Sequence, residues 1–313
     1  MMTRIVVALG GNALGNTPEE QKRSIEAACG PLVDLIEQGN EIIVCHGNGP
    51  QVGMINLAFG EASAMTDKVC PMELPECTAM SQGYIGFHLQ NGLRREMHRR
   101  GMPWKATTVV TQVVVDKNDP AFANPTKPIG AFCSEEQARE MMAQDPSVRF
   151  IEDSGRGWRR VVPSPEPEDI VEKASIADLL DREYVVIACG GGGIPVVIGE
   201  DGDPVGVSAV IDKDLSAALL ADKLGCSQLF ILTAVENVCI NFGRPDEKRL
   251  ETMTVAEAER YMAEGQFAPG SMLPKVRAAV RFVRGGEGRS AVIGALDKAA
   301  LAVSGRSGTR IIR

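Results

Sequence analysis

Short apolar runs rich in β-branched residues alternate along the chain with longer stretches whose apolar positions recur every three or four residues. The short runs fit buried strands and the longer stretches amphipathic helices, so their alternation predicts a parallel sheet covered by helices. Arg4 to Leu9 predicts a buried strand ending in glycines. Thr17-Pro18-Glu19-Glu20 then offers an N-cap, a proline at the first helical position and a capping-box glutamate, opening a helix towards Gln38. "EIIVC" (41–45) predicts the next strand and runs directly into "HGNGPQVG". Residues near 76 to 100 predict another helix, and "TTVVTQVVV" (107–115) a strand.

From Asp116 to about Pro167 the texture changes to prolines, single glycines and charges, with no sustained sheet-forming period. This stretch predicts an excursion from the main sheet, a small lid. Alternation resumes with "EYVVIAC", a strand that ends in Gly190-Gly191-Gly192-Gly193. "PVVIGEDGDPVGVSAVI" predicts a hairpin turning near Asp201-Gly202. After "IDKD" comes a helix to about Leu224, then strand "QLFIL", helices "TVAEAERYMAEG" and "SMLPKVRAAVRFVRGG", and a last strand, helix and strand. No short internal repeat is present.

With 313 residues, 44% of them hydrophobic, the chain can bury a full core. The expected organisation is a single α/β domain over 1–313 with the lid-like subdomain 116–167 inserted within it. A net charge of -8 gives no broad cationic field, which argues against nucleic acid and anionic membrane surfaces as partners. No apolar run approaches the ~20 residues of a membrane helix, and Met1 to Leu9 is too short for a signal peptide, so a cytoplasmic location is expected. The eight cysteines form no C-x-x-C pair and read as reduced, mostly buried thiols. Cys70, Cys77 and His88 match no common zinc spacing, and no metal-ligating residues are assigned.

Candidate chemistry begins where the strands end. "IVVALGGNALGNT" (5–17) misses the dinucleotide fingerprint because Asn12 replaces its middle glycine, and misses the P-loop because Asn16 replaces its lysine. Yet three strands end in glycine-dense loops, "GGNALG", "HGNGPQVG" and "GGGGIP". Strand carboxyl ends line the ligand crevice of an open α/β sheet, and glycines there leave N–H groups free to meet an anion. Phosphoryl transfer also needs cations. Lys127 sits between Pro125 and Pro128, Lys213 between Asp212 and Asp214, and Lys275 at the start of a helix. The prolines restrict the loop around Lys127, and the two aspartates are placed to hold Lys213 protonated. Asn12 and Asn48 fit donors to a transferring group, whereas His46 before a glycine turn fits a structural hydrogen bond. Arg156, Arg159 and Arg160 around Trp158 fit either an anion clamp or stacking within the lid.

Together "VVALGGNAL", "CHGNGPQVG", "NPTKPIG", "GRGWRRVVPSP", "CGGGGIPVV", "AVIDKD" and "GQFAPGSMLPKV" closely resemble carbamate kinases, within the amino acid kinase family. The resemblance runs from residue 4 to about 283, with a weaker tail, "IGALDKAALAVSGRSGTRI". It implies a three-layer αβα sandwich with a central, mostly parallel sheet of about eight strands and a small protruding subdomain. It also implies reversible phosphoryl transfer between carbamoyl phosphate and ADP, giving ATP and carbamate, with Mg2+ and a homodimer, in arginine or purine catabolism. By match to the motifs, Gly10, Gly11, Asn12, Gly47, Asn48 and Gly49 would bind the carbamoyl phosphate side, together with Gly191 and Gly192. Lys127 would reach onto it from the subdomain. Lys213 and Lys275 would neutralise the transferring phosphoryl and the nucleotide phosphates, and Asp212 would organise the lysines. The nucleotide would rest on Asp214, Thr233, Ala234, Val238, Pro269, Gly270, Ser271 and Met272.

The departures are small: Glu236 stands in "LTAVEN" where the family often has aspartate, and "MELPECTAMSQG" carries unusual residues. The alternatives are a kinase for another small carboxylate or carbamoyl donor, a non-catalytic nucleotide-binding regulator, and a dinucleotide dehydrogenase. "NPTKPIG" argues against acetylglutamate-type kinases, which lack it. The three retained lysines argue against a regulator, and the missing middle glycine against a dehydrogenase.

Overall fold

Strand β1 (Thr3–Leu9) has no solvent-facing side over its last five residues: Ile5, Val7 and Leu9 join one buried cluster, Val6 and Ala8 another. Successive side chains point to opposite faces of a strand, so a continuous apolar run demands cover on both. The computed structural model describes residues 3–10, 17–153 and 155–313 and shows that cover.

The chain continues with α1 (Pro18–Glu37), β2 (Asn40–His46), α2 (Gln51–Met65), α3 (Leu74–Arg99), β3 (Lys105–Thr108) and β4 (Gln112–Val115). Next come β5 (Lys127–Cys133), α4 (Glu135–Gln144), β6 (Arg149–Glu152), β7 (Trp158–Val162), β8 (Pro167–Ile170), α5 (Lys173–Leu180) and β9 (Tyr184–Ile187). The second half holds β10 (Ile194–Ile198), β11 (Pro204–Gly206), α6 (Lys213–Lys223), β12 (Gln228–Thr233), β13 (Val238–Ile240), β14 (Lys248–Leu250) and β15 (Thr252–Thr254). It closes with α7 (Val255–Ala263), α8 (Met272–Arg284), β16 (Ser290–Ala295), α9 (Ala299–Val303) and β17 (Thr309–Ile312).

The central sheet has eight strands in the order β15-β17-β16-β12-β1-β2-β9-β3. All its pairings are parallel except β16 with β17. Ile25 and Leu32 of α1 and Leu89 and Leu93 of α3 cover one face. Ile176 of α5, Ala218 of α6 and Val276 and Val280 of α8 cover the other, completing three layers. Register brings the strand ends level: Leu9 lies beside both His46 and Leu232. The loops after β1, β2 and β12 therefore leave the sheet at one edge, where a ligand crevice forms in open α/β sheets. Thr17 caps α1 through the anticipated capping box with Glu20, and the β10–β11 turn closes with Gly199 N–H donating to the Asp203 carbonyl at 2.9 Å.

Three features differ from the sequence pattern. The run 107–115 is two strands: β3 ends the central sheet at Thr108, and β4 joins a second sheet of order β11-β10-β4-β8. An apolar run does not encode a change of pairing partner, which here happens across Val109 to Thr111. Helix α2 was not anticipated, because Gly53 and Gly60 interrupt it and it buries only Gln51, Val52 and Gly53, leaving no apolar stripe to read. The excursion also contains regular structure, an antiparallel sheet of order β5-β7-β6 beside α4. Its strands are largely half-exposed and β6 and β7 are short, so the alternation is faint, and Pro128 is tolerated because β5 lies at an edge.

This small sheet meets α2 through two glycines. A Cβ on Gly53 would lie 2.3 Å from both the nitrogen and the Cα of Gly130, so backbone packs directly on backbone. Gly53→Ala is therefore expected to destabilise the protein by about 1–3 kcal/mol and to expose 127–162 to proteolysis. Thermal melting and limited digestion measure this, and a wild-type midpoint with unchanged digestion would refute the contact's role.

Candidate active site

At the level crevice edge, Gly10 donates its N–H to the Leu232 carbonyl at 2.8 Å, and a Cβ there would stand 3.2 Å from the same oxygen. Glycine thus lets the end of β1 close onto the end of β12. Gly11 and Asn12, both expected at the substrate, lie outside the described residues.

His46 ends β2 almost wholly buried, with Nδ1 2.8 Å from the Gly47 carbonyl. Burial pushes the imidazole down to about 4, against the pull of that hydrogen bond and with the Lys213 charge adding to the depression. The ring is therefore neutral at pH 7 and holds the loop's start. The next residues pack against the glycine turn after β9. Gly191 has a φ of 68°, and a Cβ on it would fall 2.8–3.0 Å from the Asn48 side chain. A Cβ on Gly192 would fall 2.3 Å from the Ile211 carbonyl. Only glycine lets Gly47-Asn48-Gly49 and the approach to α6 converge on this turn. The Asn48 Nδ2 is buried and has no hydrogen-bond partner among the described residues, a donor waiting for an acceptor.

The three lysines meet at the N-terminus of α6. Asp212 caps that helix, its Oδ1 accepting from the Asp214 N–H at 2.9 Å. Its Oδ2 accepts from Lys127 Nζ at 2.5 Å, across 85 residues of sequence. Asp214 bonds to Lys213 through Oδ1 and to Lys275 Nζ through Oδ2, the latter at 2.8 Å. Burial would raise the Asp214 carboxyl, but Lys213 and Lys275 outweigh it and hold the acid below its ordinary range. Asp212 is likewise penalised by burial yet held well below that range, chiefly by Lys127. Burial pulls the Lys213 ammonium down, Asp214 opposing and Lys275 reinforcing the shift.

Both aspartates favour the charged form of Lys213, as expected, but among the described residues only Asp214 hydrogen-bonds to it, Asp212 being engaged by Lys127 and by the helix cap. One expectation is corrected. Asp214, expected at the nucleotide, has a side chain only 3% exposed and both oxygens on lysines, so it links cations instead of offering an oxygen outward. Three ammonium and two carboxylate groups leave the cluster one positive charge in excess. Beside glycine N–H groups, such a cluster can hold a phosphoryl group and stabilise charge moving between its oxygens.

The proposed nucleotide positions divide. Thr233 is half-buried at the end of β12, and Ala234, Pro269, Gly270 and Ser271 are exposed, with Met272 opening α8 and Lys275 one turn further on. Val238 is fully buried and donates its N–H to Thr309 Oγ1 at 2.8 Å, so its side chain belongs to the core and not to the crevice surface. Glu236 pairs with Lys298 at 2.7 Å and accepts from Ser307 Oγ. Arg156 and Arg159 pair with Asp153 and stack on Phe132, and Arg160 donates to Asn56 Oδ1, so these arginines brace the small sheet. Among the described residues no three His, Cys, Asp or Glu side chains gather as a metal cage. Gln82, Thr111 and Ser216, which no sequence motif singles out, hold the glycine turn. The available signal was a run of polar residues, Thr78, Ser81 and Gln82, on the buried face of α3.

A sequence profile of the amino acid kinase family matches residues 3–294. A carbamate kinase-like protein of Escherichia coli is 52% identical over 99% of both chains. The carbamate kinase of Clostridium perfringens is 50% identical over 99% of this chain and 100% of its own. The structure of carbamate kinase from Giardia lamblia bound to AMP-PNP superposes with a TM-score of 0.89 at 42% identity, covering 99% of this chain and 98% of that one.

The charge cluster makes stability acid-sensitive. Asp212 and Asp214 bind protons more weakly folded than unfolded, so their contribution is full above their unfolded value of about 3.9 and is lost as pH falls through the folded values. Asp214→Asn is expected to flatten this acid limb in denaturant titrations between about pH 5 and pH 1. Asp214→Ala, which strands two buried cations, is expected to cost about 3–5 kcal/mol at neutral pH. An acid limb identical to wild type in the Asn variant would refute the linkage.

Proposed function

The chain belongs to the amino acid kinase family, and we propose that within it this protein is a carbamate kinase. It transfers a phosphoryl group reversibly between carbamoyl phosphate and ADP, giving ATP and carbamate. The observation that carries the reading is the identity of about half of all positions with carbamate kinases over essentially the whole chain. The three-lysine cluster at the crevice supports it independently.

In this reading Gly10, Gly11, Asn12 and the Gly47–Gly49 loop take the carbamoyl phosphate side, with Asn48 Nδ2 a ready donor. The Gly191–Gly192 turn faces the same group. The nucleotide occupies the side bounded by Thr233, Ala234 and residues 269–272. AMP-PNP in the Giardia lamblia relative is consistent with an adenine nucleotide site in this fold. The carbamate oxygen and the β-phosphate of ADP exchange the phosphoryl group directly, so no side-chain nucleophile is required. Lys213, Lys275 and Lys127 neutralise it in passage, as compact point charges suited to a group that moves. Asp212 and Asp214 prevent the lysines from repelling one another before substrate arrives. Magnesium, which commonly keeps few protein ligands, would arrive with the nucleotide and offset charge on its phosphates.

The chain reads as one domain over 1–313, with 116–167 inserted as a lid that delivers Lys127. A homodimer acting in the cytoplasm, in arginine or purine catabolism, completes the proposal. No helix among the described residues is long and apolar enough to cross a membrane.

A coupled assay for ATP formation from carbamoyl phosphate and ADP with magnesium, run beside acetyl phosphate and acetylglutamate, tests the reaction. Carbamoyl phosphate alone should support turnover, and no ATP formation would sink the proposal. Lys213→Ala should remain folded and lose on the order of a hundredfold or more in kcat. Near-normal turnover by that variant would overturn the lysine's role.

A further inference from the structure

Gln82 lies on the inner face of α3, 1% exposed, with Ile85 and Leu89 following it on the buried side. A buried amide must find partners, and those of Gln82 among the described residues are backbone groups. Nε2 donates to the Thr111 carbonyl at 3.1 Å and the Gly190 carbonyl at 3.0 Å, while Oε1 accepts from the Thr111 N–H at 2.8 Å. The bonds to Thr111 hold the chain where it crosses from β3 to β4, the Thr111 carbonyl also accepting from the Ile194 N–H at 2.9 Å. The bond to Gly190 reaches the glycine turn itself.

In a trans peptide the carbonyl and the following N–H point in opposite directions. Anchoring the Gly190 carbonyl towards α3 therefore turns the Gly191 N–H away from it. The Gly193 N–H donates to the same carbonyl at 3.0 Å, and the Gly192 N–H to the Cys189 carbonyl. From the other side, Ser216 Oγ on α6 donates to the Gly192 carbonyl at 2.6 Å, one turn beyond Lys213. Among the described residues the Gly191 N–H meets no acceptor. The turn is thus clamped between α3 and the helix that carries Lys213, with one donor left over beside the Asn48 side chain.

We infer that Gln82 is a positioning residue: by holding the Gly190 carbonyl it aims the Gly191 N–H at the phosphoryl-bearing substrate and fixes the turn relative to Lys213. This rests on the assignment of the turn to the carbamoyl phosphate side. Gln82→Met keeps length and loses all three bonds. Gln82→Glu, when ionised, keeps the acceptor for the Thr111 N–H and loses the bond to Gly190.

Steady-state ATP formation is measured for both variants and wild type, with thermal midpoints and amide hydrogen exchange over 189–193. The kcat/KM for carbamoyl phosphate should fall about a hundredfold, with the KM for ADP unchanged and faster exchange in the turn. Loss of thermal stability with wild-type kinetic constants in the folded fraction would overturn the inference, as would failure of both variants to fold. If only Gln82→Met fails to fold, Gln82→Glu is read in the same way. If wild type forms no ATP, the functional reading fails separately. Titration calorimetry of wild type and the folded variant with inorganic phosphate then decides: weaker binding by the variant supports the inference and equal binding overturns it.

Discussion

Three ammonium groups can be held together in a half-buried crevice only if negative charge is interleaved between them, and the first turn of α6 supplies it. Asp212 and Asp214 stand on either side of Lys213, and each takes a lysine from a distant part of the chain: Lys127 from β5 and Lys275 from α8. Without these carboxylates, desolvation and mutual repulsion would drive the lysines apart or strip their protons. The arrangement is poised because the aspartates nearly balance the lysines before an anion binds. In the proposed reaction an arriving phosphoryl group would bring the further negative charge that the cluster's excess can accept.

The remaining structure serves that point. The level register of β1, β2 and β12 delivers the glycine loops to one edge. Backbone contact between Gly53 and Gly130 seats the small sheet so that Lys127 reaches Asp212. Side chains on Gly191 or Gly192 would collide with Asn48 or the Ile211 carbonyl and push the loops off α6. Glycine at these positions is a steric requirement of the site as much as a provision of free N–H groups. Burial of both sheet faces gives the loops a rigid base, which positioning-dominated phosphoryl transfer demands.

Much of this was legible in the residues. The apolar runs at Arg4 to Leu9 and "EIIVC" could be satisfied only by a sheet covered on both sides, and the Thr17 capping box declared a helix start by local chemistry alone. The quartet of glycines after β9 and the lysines at 127, 213 and 275 pointed to one region, and the structure brings the three lysines together at the first turn of α6. Helix α2 was invisible because its stability comes from neighbours and not from its own pattern. The motif match set Val238 beside the nucleotide, whereas the fold buries its side chain and bonds its N–H to Thr309.

What the sequence by itself determined was the set of local structures, the family resemblance and the kinds of groups available, since periodicity, capping and glycine placement are short-range properties. Only the tertiary structure decided the partners. It gave Lys127 to Asp212 and both other lysines to Asp214, placed Gln82 beneath Gly190, and split 107–115 between two sheets. The physical reason is that a carboxylate flanked by lysine in sequence does not specify which cation it will neutralise. That choice follows from which side chains the packed helices and strands carry into the same low-dielectric space.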